Sequence, residues 1–195
     1  LTDPILQALA DKGFETPSPI QAETIPHILD TETDLIGQAQ TGTGKTAAFG
    51  LPILEMLEPT SGPIHALVMT PTRELSIQVK DELDGLKGQK PLKIVTVYGG
   101  QPIERQIQQL SRPTDIVVGT PGRLIDLIRN KKLNLSQLKY LVLDEADEML
   151  NSGFIEDIEF ILSKSNPDRR TLLFSATMPS EIRRLAETYM QEPET

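Results

Sequence analysis

Short, largely apolar runs recur along the chain at Leu35-Ile36, Ala66 to Met69, Ile94 to Val97, Ile116 to Val118, Tyr140 to Leu143 and Leu172 to Phe174. Runs of this kind, apolar on both faces, predict strands covered on both sides rather than strands with one wet face. Between them the apolar positions fall at helical spacing, near Thr46 to Leu57, Glu74 to Leu86, Ile103 to Leu110, Arg123 to Ile128, Phe154 to Leu162 and Ser180 to Met190. Two further helices precede the first strand. One has Asp3 or Thr2 as its cap, Pro4 in its first turn, Ile5, Leu6 and Leu9 on one face, and Gly13 just past its end. The other follows the Pro17-Ser18-Pro19 turn and points Ile20, Ile25 and Ile28 inward.

Alternating strands and helices predict an α/β fold in three layers, a mostly parallel sheet with helices on both faces, and ligands at the carboxyl ends of the strands. The least ordinary residues of the chain stand at those ends. Ala39-Gln40-Thr41-Gly42-Thr43-Gly44-Lys45-Thr46 follows the first strand, Thr70-Pro71-Thr72-Arg73 the second and Gly99-Gly100 the third. Gly119-Thr120-Pro121-Gly122-Arg123 ends the fourth, Asp144-Glu145-Ala146-Asp147 the fifth and Ser175-Ala176-Thr177 the sixth.

Composition narrows the chemistry. The 195 residues suffice for one well-buried domain and are too few for two large ones. No apolar run approaches the roughly 20 residues of a spanning helix, and the chain does not open on a signal pattern, so a soluble, cytosolic protein without a membrane partner is expected. There are no cysteines and only His27 and His65, so any metal must sit on oxygen ligands. A net charge of -9 argues against holding a polyanion over the whole surface, and a nucleic-acid partner needs a local site.

The run from Ala39 to Thr46 reads as a phosphate-binding loop. Its glycines let backbone N–H groups turn toward phosphate oxygens, Lys45 can reach the outer phosphates, and the Thr46 hydroxyl can ligate Mg²⁺. The bland alternative is a Gly-Thr turn, which does not need Lys and Thr directly after its last glycine. An apolar strand ending in Asp144-Glu145 supplies the second half of such a site. Asp144 would hold Mg²⁺ together with Thr46 and the nucleotide phosphates, and Glu145 would orient and deprotonate the attacking water. The competing reading is a pair of acids favoured by a helix dipole.

Taken together, the phosphate loop, Asp144-Glu145-Ala146-Asp147 and Ser175-Ala176-Thr177 resemble the first RecA-like domain of a DEAD-box RNA helicase. Gly13-Phe14-Glu15-Thr16-Pro17-Ser18-Pro19-Ile20-Gln21 resembles the family's Q motif, and Pro71-Thr72-Arg73-Glu74-Leu75 and Thr120-Pro121-Gly122-Arg123 resemble two of its RNA-contact motifs. In that family the first phosphate-loop position is commonly Ala, as at Ala39. The resemblance covers almost the whole chain and implies a single RecA-like P-loop NTPase domain over 1–195. It also implies ATP as ligand, with Phe14 and Gln21 at the base end. A side-chain amide can donate and accept at once, matching the N6 and N7 edge of adenine, which implies ATP over GTP. The plainer role for Gln21 is to cap a helix. Pro71, Thr72, Arg73, Gly99, Gly100, Thr120, Pro121, Gly122 and Arg123 would hold one RNA strand by its backbone, without reading sequence. Ser175 and Thr177 would hydrogen-bond to Asp147 and couple nucleotide state to RNA grip, the plainer reading being turn chemistry after a strand.

The chain departs from the family in three respects. The family's aromatic residue that stacks on adenine lies ahead of the Q motif and would fall before Leu1, so that contact is expected to be missing from these residues. Position 76 is Ser where the family often has Ala, a change expected to be harmless. The family's second RecA-like domain would have to follow Thr195, and Glu192-Pro193-Glu194-Thr195 reads as the start of an interdomain linker. The chain is therefore expected to be part of a helicase, binding ATP or ADP and RNA weakly, with little turnover and no unwinding by itself. Two rivals remain: a self-sufficient P-loop NTPase, which would turn over ATP unaided, and a docking scaffold, in which Glu145→Gln would be silent.

Overall fold

The computed structural model describes residues 3–13, 16–39, 44–60, 62–191 and 193. Phe14 and the loop residues Gln40, Thr41, Gly42 and Thr43 lie outside the described residues, as do Thr2, Glu15, Glu192, Glu194 and Thr195. Helices α1 (Asp3–Asp11) and α2 (Pro19–Asp30) lead to β1 (Leu35–Gln38) and α3 (Lys45–Met56). Then come β2 (Ala66–Met69), α4 (Arg73–Lys87), β3 (Ile94–Val97), α5 (Ile103–Leu110), β4 (Ile116–Gly119) and α6 (Pro121–Arg129). The chain continues through β5 (Tyr140–Leu143), α7 (Ala146–Asn151), α8 (Ile155–Lys164), β6 (Arg170–Ser175) and α9 (Ser180–Tyr189).

The six strands form one sheet in the order β1-β6-β5-β2-β4-β3, and every pairing is parallel rather than most of them. Successive strand residues point to opposite faces, so the core divides in two. Leu35, Val68, Ile116, Val142 and Phe174 pack with Ile5, Ile28, Phe49 and Leu83 on the side of α1 to α4. Ile36, Leu67, Val117, Leu143 and Leu173 pack with Leu124, Met149, Ile158 and Ile182 on the side of α6 to α9. Helix α3 is buried from Lys45 to Leu54, which is why its sequence shows little polar face.

Three expectations need correction. Leu6 is 48% exposed and does not share the inward face of α1 with Ile5; the buried neighbour of Ile5 there is Ala8. Strand β6 starts at Arg170, two residues before its apolar run. Arg170 is buried because its guanidinium meets carbonyls in the last turn of α2 and the loop after it, donating to Ile28 O, His27 O and Thr33 O. Helix α7 was not foreseen, since six residues with two acids carry too little periodicity to announce a helix.

Candidate nucleotide and RNA site

Because all strands run the same way, their carboxyl ends share one edge, and the sheet order fixes who neighbours whom. The ends of β1, β6 and β5 lie side by side, carrying Ala39, Ser175-Ala176-Thr177 and Asp144-Glu145; the ends of β2, β4 and β3 follow, carrying Pro71-Thr72-Arg73, Thr120 to Arg123 and Gly99-Gly100.

On the first half of the edge, Lys45 opens α3 and is only 5% exposed. A buried ammonium needs partners, and its Nζ lies 2.9 Å from Asp144 Oδ1 and 3.1 Å from Glu145 Oε1. Asp144 is fully buried at the end of β5, and its Oδ2 meets no hydrogen-bond donor among the described residues. Burial pushes its carboxyl above the usual carboxylate range, with Lys45 opposing. A buried acid with one oxygen unmatched has spare affinity for a cation. With Thr46 also buried close behind Lys45, these oxygens fit Mg²⁺. Among the described residues no group of three or more His, Cys, Asp or Glu could hold a metal, so such an ion would depend on phosphate oxygens as well.

Glu145 adopts φ 54°, a left-handed conformation uncommon for a residue with a side chain. That turn ends β5, starts α7 and aims the carboxylate back at Lys45. Gly44 also sits in the left-handed region, at φ 81°, and an added Cβ there would fall 2.4 Å from Gln21 Nε2. Gln21 itself does two jobs. Its Oε1 accepts from Ser18 N–H and Ser18 Oγ accepts from Gln21 N–H, closing a capping box on α2, while Nε2 donates to Gly44 O at 3.1 Å. The plain capping role is therefore present, and it couples α2 to the phosphate loop. An amide has two donors and two lone pairs, so one of each is left for a base.

The coupling group differs in detail from expectation. Thr177 donates both its hydroxyl, at 3.0 Å, and its N–H, at 3.1 Å, to Asp147 Oδ2. Ser175, however, accepts from the Asp147 backbone N–H and donates to Thr177 O, so it holds the turn rather than the carboxylate. Burial would raise the Asp147 carboxyl, but the hydroxyl of Thr177 and the N–H groups of Thr177 and Glu148 outweigh it and hold it below its usual range. The same turn is tied to the phosphate loop: Ala39 N–H donates to Ser175 O at 3.1 Å and Gln38 Nε2 to Ala176 O at 3.2 Å.

On the second half, Pro71 is buried while Thr72 and Arg73 are exposed at the start of α4. Thr72 Oγ1 accepts from Leu75 N–H as the helix cap, and Arg73 lies over the Tyr98 ring, 4.9 Å from its centroid. Thr120 occupies the cap position of α6, yet among the described residues its side chain makes no capping bond. Pro121 is buried behind it. Gly99, Gly100 and Gly122 are exposed, and a Cβ on any of them would meet nothing within 4 Å. Their bareness leaves backbone open to a closely approaching strand. Arg123 is half-buried, donating from Nη1 to Gln106 Oε1 and from Nη2 to Gln101 O, each at 3.0 Å.

Sequence reasoning missed Gln38, Tyr98 and Gln106, and gave Thr70 no role beyond its place after the second strand. Ser76, noted only as a departure, is fully buried and shares a hydroxyl pair with Thr70 beneath the Pro71-Thr72-Arg73 turn. Gln106 left a signal, since it falls on the apolar side of the helical pattern formed by Ile103, Ile107 and Leu110.

The fold has close relatives among solved structures. The crystal structure of a DEAD box protein from the hyperthermophile Methanococcus jannaschii superposes with a TM-score of 0.96 at 52% identity, covering 100% of this chain and 53% of that one. Among curated proteins, the DEAD-box ATP-dependent RNA helicase CshA of Bacillus cereus is 55% identical over 194 residues. A probable ATP-dependent RNA helicase of Methanocaldococcus jannaschii is 54% identical over 190. The chain spans 37% and 51% of their respective lengths. A model of the DEAD/DEAH box helicase family matches residues 18–185. With this match, and with six parallel strands in a RecA-like fold, the chain belongs to the DEAD/DEAH box helicase family.

Proposed function

We propose that residues 1–195 form the ATP-binding RecA-like domain of a cytoplasmic, ATP-dependent RNA helicase that clamps RNA by its backbone and opens short duplexes locally. The observation that carries this reading is the order of strand ends along one edge: nucleotide chemistry on β1, β6 and β5, and an exposed Arg73, a half-buried Arg123 and bare glycines on β2, β4 and β3.

On this reading Phe14 and Gln21 take the adenine, and the loop from Ala39 through Gln40, Thr41, Gly42, Thr43 and Gly44 wraps the phosphates. Lys45 leaves its carboxylate partners to meet the outer phosphates. Thr46 and Asp144 would hold Mg²⁺, which when bound neutralises phosphate charge. Glu145, freed from Lys45, orients the attacking water and takes its proton. Pro71, Thr72, Arg73, Gly99, Gly100, Thr120, Pro121, Gly122 and Arg123 grip sugar and phosphate, which positions RNA without reading bases. Asp147, Ser175 and Thr177 transmit nucleotide state across the edge, since their turn is bonded to both β1 and α7.

A second RecA-like domain of the same protein would complete the site with arginine fingers, which contribute on the order of 10³ to 10⁵ in rate where they act. The test is ATP hydrolysis with and without single-stranded RNA, by this chain alone and fused to a family second domain. Near-silence alone, and RNA-stimulated turnover in the fusion that Glu145→Gln abolishes while ATP binding survives, is the expected result. Comparable, RNA-indifferent turnover by the chain alone overturns the reading.

A further inference from the structure

Helix α5 gives its most buried position to a glutamine: Gln106 is 6% exposed, while Ile103, Ile107 and Leu110 are only half-buried. An amide sunk so deep must find partners, and it finds them in two different loops. Its Nε2 donates to Tyr98 O and its Oε1 accepts from Arg123 Nη1, both at 3.0 Å. The Tyr98 ring carries Arg73, and the second terminal nitrogen of Arg123 is held by Gln101 O. Among the described residues Arg123 Nε is buried without a hydrogen-bond partner, with Asp126 Oδ2 3.8 Å away. Gln106 is therefore the side-chain link between the end of β3, on which Arg73 rests, and the arginine that opens α6.

We infer that Gln106 is a positioning residue for RNA: it fixes the Arg123 guanidinium and, through Tyr98, the platform under Arg73, so that both arginines face neighbouring phosphates of one strand. This rests on the RNA-binding reading above. Removing Gln106 leaves both charges in place but lets the Arg123 guanidinium turn away, so orientation is lost rather than charge.

Anisotropy titration of a labelled single-stranded oligouridylate with this chain, over a series of salt concentrations, tests the inference. Gln106→Met should weaken binding about tenfold and make the dependence of log affinity on log salt shallower by about 0.7, the share of one phosphate contact on a single strand. ADP affinity should not change. Gln106→Asn, a methylene too short to span both partners, should act in the same direction and covers the case in which the methionine variant does not fold. In an Arg123→Met background the Gln106→Met effect should vanish, because the two act as one unit. An undiminished effect in that background overturns the inference, and so does a silent Gln106→Met beside damaging Arg73→Met and Arg123→Met. If none of the three single variants weakens binding, the RNA reading itself falls and this inference falls with it.

Discussion

Asp144 and Asp147 stand three positions apart and are driven in opposite directions. Desolvation dominates at Asp144, where Lys45 meets one oxygen, and raises its proton affinity. At Asp147 three hydrogen-bond donors, the hydroxyl and N–H of Thr177 and the N–H of Glu148, stabilise the ionised form and overcome the burial. A carboxyl whose folded pKa lies below its usual 3.8 lends stability that is complete above that value and is lost as pH falls through the folded one. Thr177→Val deletes one of those donors while leaving the backbone N–H. Because Thr177 is exposed and water can partly replace it, the expected loss near neutral pH is about 1 kcal/mol. Urea midpoints measured down a pH series should show that gap closing as Asp147 becomes protonated. A gap of constant size would mean that the hydroxyl does not act on the ionised carboxylate. That Lys45, Asp144 and Glu145 share one edge was legible in the sequence, because each stands directly after a strand or its loop. The partner of Ser175 was not, because which way a hydroxyl donates depends on the turn that carries it.

Helices and strands set the spacing within which these side chains work, and glycine marks where elements touch. A Cβ on Gly119, at the end of β4, would lie 2.6 Å from Val97 Cγ2, 2.9 Å from Val97 O and 3.1 Å from Leu124 Cδ2. The carbonyl cannot swing aside, since it accepts from Thr120 N–H and belongs to the β3–β4 ladder. Gly119→Ala should force β3 and the start of α6 apart and cost about 2–3 kcal/mol, the upper end of overpacking penalties. The damage lies on the half of the edge away from Lys45, so a drop in melting temperature with unchanged ADP affinity is expected from thermal unfolding and calorimetry. Equal losses of both would show that the two halves do not separate. The strands were readable from their apolar runs and the helices from their spacing. The start of β6 was not, because Arg170 is buried for a reason that lies across the fold, in the carbonyls of α2 and the loop after it.

At the level of the molecule, strand order does what no stretch of sequence announces. Motifs scattered from residue 39 to residue 177 come to one edge, in two halves. The alternation of elements predicted that edge, but which ends become neighbours is a property of the crossovers, and only long-range packing selects among them. The charge distribution then sets how RNA can be held. With a net charge of -9, the surface as a whole repels a polyanion, so on the proposed RNA reading attraction would come from Arg73, Arg123 and nearby backbone N–H groups. Each phosphate neutralised on a single strand contributes about 0.7 to the slope of log affinity against log salt. Two arginines therefore predict a slope of about -1.4 for this chain, shallow and paired with weak affinity. A slope several times steeper would mean that phosphates are neutralised elsewhere on the surface. The second half of the edge would then not be the principal RNA contact.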